Sequence, residues 1–197
     1  MSNIGIFIDR DGTINEEVDY LTSPDDLKLL DGAAEAIQEA NGLGLRVVVI
    51  TNQSAVARGL LTEEQLSVIH DALRSQLANR GARVDAIYYC PHLPNASVAQ
   101  YRKECDCRKP GTGMLQRGVR EFSIDLSKSF LIGDKMSDIQ TAHNAGTKSV
   151  LVLTGYGKAE LDLCRQQNVP IDHVADNLLQ AMSYVKRVVQ QTQPSLS

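Results

Sequence analysis

Two carboxylates close an apolar run near the N-terminus, Gly5-Ile6-Phe7-Ile8-Asp9-Arg10-Asp11-Gly12-Thr13. An apolar run of this length bounded by polar turn residues reads as a buried parallel strand, which delivers Asp9 and Asp11 at its carboxyl end. Open α/β sheets bind their ligands at that edge. Two acids spaced i, i+2 in a poorly solvated place repel each other, so they call for a cation, a shared proton or a neighbouring Lys or Arg. A hard divalent cation is the economical solution. The plain alternative is a strand-to-helix turn with Asp as cap and Gly12 for the bend.

Other strand and loop ends carry matching chemistry. Arg46-Val47-Val48-Val49-Ile50 runs into Thr51-Asn52-Gln53-Ser54, Phe130-Leu131-Ile132-Gly133 runs into Asp134, and Lys109 stands in a long loop before Pro110-Gly111. Three acids, a hydroxyl and an ammonium group at one sheet edge form a phosphoryl-transfer constellation. A carboxylate attacks phosphorus only if the charge on the phosphoryl oxygens is offset, and a metal ion, Lys109 and the Thr51 hydroxyl would do that. Asp9 is then the nucleophile, forming an aspartyl-phosphate. Asp11 protonates the leaving oxygen and next takes a proton from the attacking water. Mg²⁺ keeps several waters and asks for few protein oxygens, which Asp9, a backbone carbonyl near Asp11, and Asp134 would supply. Asp138, one helical turn beyond Asp134, is placed behind the ligands rather than among them.

A second metal signature lies between the third strand and Lys109. Cys90-x-His92 and Cys105-x-Cys107 offer four soft or borderline ligands in one loop, the count and chemistry of a closed structural zinc site. Zinc there would staple the stretch that carries Arg108 and Lys109. A bridge between Cys105 and Cys107 would be strained, and loop cysteines without metal are the alternative.

The elements that must position these groups follow from the periodicity. Apolar strands over 5–8, 46–51, 84–89, 130–133 and 149–153, with a short edge strand at Val174-Ala175, alternate with helices from Ala33 to Ala40, Thr62 to Arg80, Met114 to Phe122, Met136 to Ala145, Lys158 to Gln167 and Leu178 to Val189. That alternation is an α/β, doubly wound parallel sheet. Asn41-Gly42 and Gly44 are read as the stop of the first helix, Thr62 and Gln65 as a capping box, Asn15 to Leu30 as a loop over the strand ends, and 191–197 as a flexible tail after one domain spanning 1–190. A chain of 197 residues with 43% hydrophobic residues needs no second domain. A net charge of -4 disfavours a nucleic-acid or anionic-membrane partner, and no apolar run reaches the ~18 residues of a membrane span. A cytoplasmic monomer acting on a small molecule is the expectation.

Asp9-Arg10-Asp11-Gly12-Thr13, Thr51-Asn52-Gln53, Lys109-Pro110 and Gly133-Asp134-Lys135-Met136-Ser137-Asp138, in that order, resemble the four motifs of the haloacid dehalogenase (HAD) superfamily phosphatases. The resemblance spans nearly the whole chain and implies a HAD-like fold without a large cap domain, with Asp9 as nucleophile, Asp11 as acid/base, Thr51 and Lys109 as phosphoryl stabilisers and Asp134 as metal ligand. The zinc loop, Ala57-Arg58-Gly59 and Tyr88-Tyr89-Cys90-Pro91-His92 are similar to a subgroup that acts on a heptose 1,7-bisphosphate. That resemblance implies removal of the 7-phosphate during nucleotide-heptose synthesis for lipopolysaccharide core or a related glycan. It places Glu17, Val18, Asp19 and Tyr20 against the sugar, Asn52, Gln53, Ser54 and Lys135 against the substrate, and Arg108 on the distal phosphate. A guanidinium fork suits a second phosphate, which histidinol phosphate, the alternative substrate, does not have. Glu16-Glu17-Val18-Asp19 departs from the subgroup pattern and leaves the preferred anomer open.

Rivals from other classes are a phospho-aspartate receiver, which would lack an acid at position 11, and a zinc-dependent nucleic-acid module, which the acidic balance disfavours. His70 is read as lying on the polar flank of its helix, and His143 and His173 also as solvated or hydrogen-bonded. Cys164 and Met114-Leu115 are read as core, and Gly155-Tyr156-Gly157 as a turn.

Overall fold

The six apolar runs pair side by side and in parallel. A computed structural model describes residues 3–192. Among the described residues β1 (Gly5–Ile8), β2 (Arg46–Asn52), β3 (Ala86–Cys90), β4 (Phe130–Gly133), β5 (Lys148–Val152) and β6 (His173–Ala175) form one sheet in the order β3-β2-β1-β4-β5-β6. Ile8 pairs with Val49 on one side and with Ile132 on the other, so the ends of β1, β2 and β4 are level. The strand order reverses between β1 and β4, and ligands of doubly wound sheets sit in the crevice at that reversal.

Both sheet faces are covered, which explains strands that read as continuous apolar runs. Ile6, Ile8, Val49 and Ile132 pack with α1 (Ala33–Gly42), α3 (Glu63–Ala78) and α7 (Leu178–Thr192) on one face. Phe7, Val48, Ile50 and Leu131 pack with α4 (Gly113–Phe122) and α5 (Met136–Ala145) on the other. Successive side chains of β1 therefore serve opposite cores. Met114 and Leu115 are core residues as expected, and so is Cys164 in α6 (Gly157–Gln166).

Several boundaries differ from the sequence reading. Asn41 and Gly42 lie inside α1, and the left-handed residue that ends the turn is Gly44 at φ +70°. Leu43 N–H still finds the Glu39 carbonyl, so the helix closes two residues later than its composition suggests. A short helix, α2 (Ser54–Ala57), follows β2 directly. Helix α7 continues through Thr192, so Gln191 and Thr192 are helical, and the remainder of the expected tail, 193–197, lies outside the described residues. The Thr62 capping box is present, with Thr62 Oγ1 accepting from Gln65 N–H and Gln65 Oε1 from Thr62 N–H. No described helix is long and apolar enough to cross a membrane.

Gly118 lets α4 approach β1 closely, since a Cβ there would sit 2.9 Å from the Phe7 ring. Gly118→Val is expected to destabilise the fold by ~1–3 kcal/mol in urea unfolding, and unchanged stability would contradict this close approach.

Candidate active site

The carboxyl ends of β1 and β4 place three acids together. Carboxylate oxygens of Asp9, Asp134 and Asp138 lie within 4.8 Å of one another, and all three residues are buried. Lys109 reaches into this cluster from its loop, with Nζ 2.8 Å from Asp9 Oδ1 and 2.6 Å from Asp138 Oδ1. Asp138 thus pairs with Lys109, and its carboxylate also stands in the acidic group that could hold a metal ion. Arg10 N–H also donates to Asp9 Oδ1 at 2.8 Å. Both contacts fall on Oδ1, and Asp9 Oδ2 has no hydrogen-bond partner among the described residues. It is the oxygen a nucleophile would use.

Burial pushes the Asp9 carboxyl up to about 6, because the attraction of Lys109 is partly cancelled by the neighbouring Asp138 charge. Asp134 is pushed higher, to about 8, by burial and by the Asp9 charge. Burial alone would depress the Lys109 ammonium, but Asp138 and Asp9 together hold it above the usual lysine range. Three acids share a single ammonium, so the cluster is short of positive charge. Asp134 Oδ2 accepts the Tyr156 N–H at 2.9 Å, while its buried Oδ1 has no partner. An orphaned buried carboxylate oxygen beside two more acids fits a hard divalent cation such as Mg²⁺.

Asp11 faces the other way. Its side chain does not join the carboxylate cluster; Arg10, itself fully buried, grips it through two bonds of 2.9 and 2.7 Å. Asn15 Nδ2 and Gln53 Nε2 also donate to it, at 3.0 and 2.9 Å. Burial opposes ionisation of Asp11, but the Arg10 charge and these bonds outweigh it and hold the carboxyl below the ordinary aspartate range. The ionised form can accept a proton from water. To donate one, Asp11 must leave Arg10.

Thr51, buried at the end of β2, receives a bond from Gln53 Nε2 at 2.8 Å. The next residue, Asn52, lines the polar cavity at Asp11 and also holds the Lys109 backbone. Its Nδ2 donates to the Lys109 carbonyl at 3.2 Å and its Oδ1 accepts the Lys109 N–H at 3.0 Å. Asn52 thereby clamps the backbone that delivers Lys109, a role with no sequence signature.

The four zinc-type ligands converge as expected. Sγ atoms of Cys90, Cys105 and Cys107 are 3.1–3.4 Å apart, and His92 Nδ1 lies 3.4 Å from Cys107 Sγ and 3.8 Å from Cys90 Sγ. Tetrahedral Zn–S bonds of about 2.3 Å put sulfurs about 3.8 Å apart, close to these separations. A disulfide would need about 2.05 Å, and the cysteines are free. The ligand set fits Zn²⁺. Arg108 donates from Nη1 to the His92 carbonyl at 3.1 Å, which ties it to the same knot.

Glu17, Asp19, Tyr20, Gln53, Ser54 and Lys135 line a polar cavity of about 100 Å³ with Asp11 and Asn52. Val18 and Arg108 stand outside that lining, Val18 exposed and Arg108 turned to His92. Lys135 Nζ donates to Glu17 at 2.9 Å. The larger cavity lined by His143, Lys148 and Asp172, about 500 Å³, contains none of the expected site residues. His70 is buried, not on a polar flank. It packs 5.7 Å from the Tyr89 ring, and burial and nearby Arg10 push it down to about 3, so it is neutral. Its position on α3 faces the core because helical spacing puts it beside Leu66 and Leu73. Tyr156, set aside in the sequence as part of a turn, is at the site through its N–H on Asp134.

Residues 106–181 match the HAD-hydrolase-like family model. The chain is 50% identical over 152 residues, 76% of its own length and 80% of the relative's, to a D-glycero-beta-D-manno-heptose-1,7-bisphosphate 7-phosphatase of Photorhabdus laumondii. It is 41% identical over 184 residues, 90% and 92% of the two chains, to a D-glycero-D-manno-heptose-1,7-bisphosphate 7-phosphatase of Chlorobaculum tepidum. The crystal structure of a D,D-heptose 1,7-bisphosphate phosphatase from B. bronchiseptica, complexed with magnesium and phosphate, superposes with a TM-score of 0.82 at 34% identity, covering 96% of this chain and 100% of that one.

Raised carboxyl groups give the metal-free protein a defined pH response. Because Asp134 binds its proton up to about pH 8 in the fold but only to 3.8 when unfolded, stability of the metal-free form falls as pH rises through that window. Mg²⁺ replaces the proton, so the gain in Tm on adding Mg²⁺ is expected to be larger at pH 8 than at pH 6; an equal gain would contradict the raised acid. Metal analysis of the purified chain is expected to find about one zinc per molecule, lost in Cys107→Ser. A zinc-free chain with an ordered 90–109 loop would contradict the stapling role.

Proposed function

This chain belongs to the HAD-like hydrolases, alongside the heptose bisphosphate phosphatases it matches, and from that premise we propose that it removes the 7-phosphate of D-glycero-D-manno-heptose 1,7-bisphosphate. The observation that carries the reading is the Lys109 ammonium wedged between Asp9 and Asp138, with Asp9 Oδ2 left free beside it. A carboxylate so placed has its charge neighbour already in position and loses little ordering energy when a phosphate arrives.

In the first half-reaction Asp9 Oδ2 attacks phosphorus, the bond from phosphorus to the sugar oxygen breaks, and Asp11 gives that oxygen its proton. In the second, Asp11 takes a proton from water as the water oxygen attacks phosphorus, and Asp9 departs as a carboxylate with free phosphate released. Thr51 Oγ1 and Lys109 Nζ donate to the phosphoryl oxygens throughout. Asp9, Asp134 and a backbone carbonyl near Asp11 would hold Mg²⁺, which supplies further neutralisation of phosphoryl charge. Gln53 bonds both Thr51 and Asp11, so it can link phosphoryl binding to the proton donor.

Glu17, Asp19, Tyr20, Ser54 and Lys135 would face the sugar, with Val18 at the rim and Arg108 taking the second phosphate. Asn52, in the same lining, would face the substrate while holding the Lys109 backbone. The β anomer is the expected substrate, following the name of the 50% identical relative. A monomeric cytoplasmic enzyme that takes a small phosphosugar, serving nucleotide-activated heptose for lipopolysaccharide core or a related glycan, completes the reading.

Steady-state kinetics on both anomers of the bisphosphate and on histidinol phosphate tests it. The β anomer is expected to have the highest kcat/KM, and a preference for histidinol phosphate would overturn the substrate. Asp9→Asn is expected to abolish turnover with the fold intact by circular dichroism. Asp11→Asn should slow turnover by ~10²–10⁴-fold, and an unchanged rate would remove it from the mechanism.

A further inference from the structure

The turn that follows β5 is fixed against the nucleophile loop from several directions. Thr154 Oγ1 donates to the Gly12 carbonyl at 2.6 Å. A Cβ on Gly155, whose φ is +53°, would lie 2.3 Å from Asp134 Oδ2 and 2.6 Å from Gly12 Cα, so the two backbones meet with no room for a side chain. Tyr156 N–H closes the arrangement on Asp134. The Tyr156 side chain leaves this anchored turn and stays 41% exposed, although it is a large ring beside a buried carboxylate cluster.

That ring reaches the two parts of the rim that the sugar would meet. Lys135 Nζ sits 4.7 Å from the ring centroid while it donates to Glu17, and Tyr156 Oη lies 3.3 Å from Asp19 Oδ1. Asp19 is one of three non-glycine residues in the left-handed region among the described residues, at φ +50°, and its carboxylate is the group that the Tyr156 hydroxyl meets. Tyr156 also lines a cavity of about 430 Å³ with Glu16, Glu17, Leu30 and Gly155, and Glu17 is shared between this cavity and the polar one at Asp11.

We propose that Tyr156 is a positioning residue for substrate selection, which sets the 17–20 loop and Lys135 relative to the Asp9 cluster by joining both to the turn that holds Asp134. The inference rests on the heptose bisphosphate reading for the ligand, but its structural half does not. The ring supplies a face on which the Lys135 ammonium is held by cation–π attraction, so Lys135 stays in place when a phosphate draws it from Glu17. The hydroxyl holds Asp19 in its unusual backbone conformation. A mobile loop would still admit a small phosphomonoester to Asp9, whereas a sugar bisphosphate needs the rim.

Tyr156→Phe and Tyr156→Leu test this, since both keep the N–H on Asp134. Two readouts are needed: kcat and KM on the β-heptose bisphosphate and on p-nitrophenyl phosphate, and hydrogen exchange of residues 16–21 in the free enzyme. Tyr156→Leu is expected to lower kcat/KM for the bisphosphate ~10-fold more than for p-nitrophenyl phosphate, chiefly through KM, and to speed exchange of the loop; Tyr156→Phe, which keeps the ring face for Lys135 but loses the hydroxyl on Asp19, should speed exchange of the loop as well while losing less of the selectivity. Equal losses on the two substrates, or unchanged exchange in Tyr156→Leu, would overturn the proposal even if the wild-type enzyme prefers the heptose. Faster loop exchange in Tyr156→Leu together with a wild-type enzyme that shows no preference for the heptose would instead sink the substrate reading and leave the positioning role standing.

Discussion

The Lys109 ammonium, buried between Asp9 and Asp138, is the contact on which the rest of the site depends. Taking one ammonium and three carboxylates out of water is costly, and their mutual attraction repays it only when every distance is short. Losing the ammonium would strand two buried charges, a change of about 3–5 kcal/mol. Even with Lys109 in place, burial first and the neighbouring carboxylate charges second push Asp9 up to about 6 and Asp134 up to about 8. A site poised in this way draws in a divalent cation and then, with that charge added, an anionic phosphate.

Such a contact must be built from pieces far apart in the chain. The parallel sheet brings the ends of β1 and β4 together at the reversal of strand order, and that delivers Asp9 and Asp134. Lys109 has no strand to hold it. Its backbone is clamped by Asn52 at the end of β2, and the Cys90, His92, Cys105 and Cys107 cluster gathers the loop just before it. A long loop without regular structure needs such ties to hold a charge in a fixed place. The zinc-type cluster therefore belongs to the chemistry indirectly, through the placement of one ammonium.

Much of this was legible in the sequence, and the boundary is a physical one. Continuous apolar runs that end in acids or hydroxyls point to strands buried on both faces with polar groups at one edge, and Asp9, Thr51 and Asp134 stand where that logic puts them. Four Cys and His residues in one loop also announced their convergence. Rotamers and partners did not follow. Nothing in Asp9-Arg10-Asp11 says that a fully buried Arg10 turns Asp11 away from the acids, and nothing in Thr51-Asn52-Gln53 says that the middle residue clamps the Lys109 backbone. His70 is a polar residue type on an amphipathic helix, yet the 3.6-residue period carries it to the core beside Leu66 and Leu73. Tyr156 follows a glycine turn with no fingerprint, and only the contact of that turn with Gly12 and Asp134 brings it to the site.

In the proposed mechanism, proton transfer by Asp11 would link the two halves of the reaction, and its bonds to Arg10 suit the second half, when a base is needed. The first half asks it to carry a proton at a leaving oxygen, and Gln53, which donates to both Asp11 and Thr51, joins it to the phosphoryl side of the site. All of this presumes that the phosphoryl group rests on Asp9 between the halves. Rapid acid quenching of the enzyme during turnover of bisphosphate labelled at the 7-phosphate, followed by peptide mapping, addresses that directly. Label on Asp9 is the predicted result; turnover with no label on the chain, or label on any other residue, would contradict it.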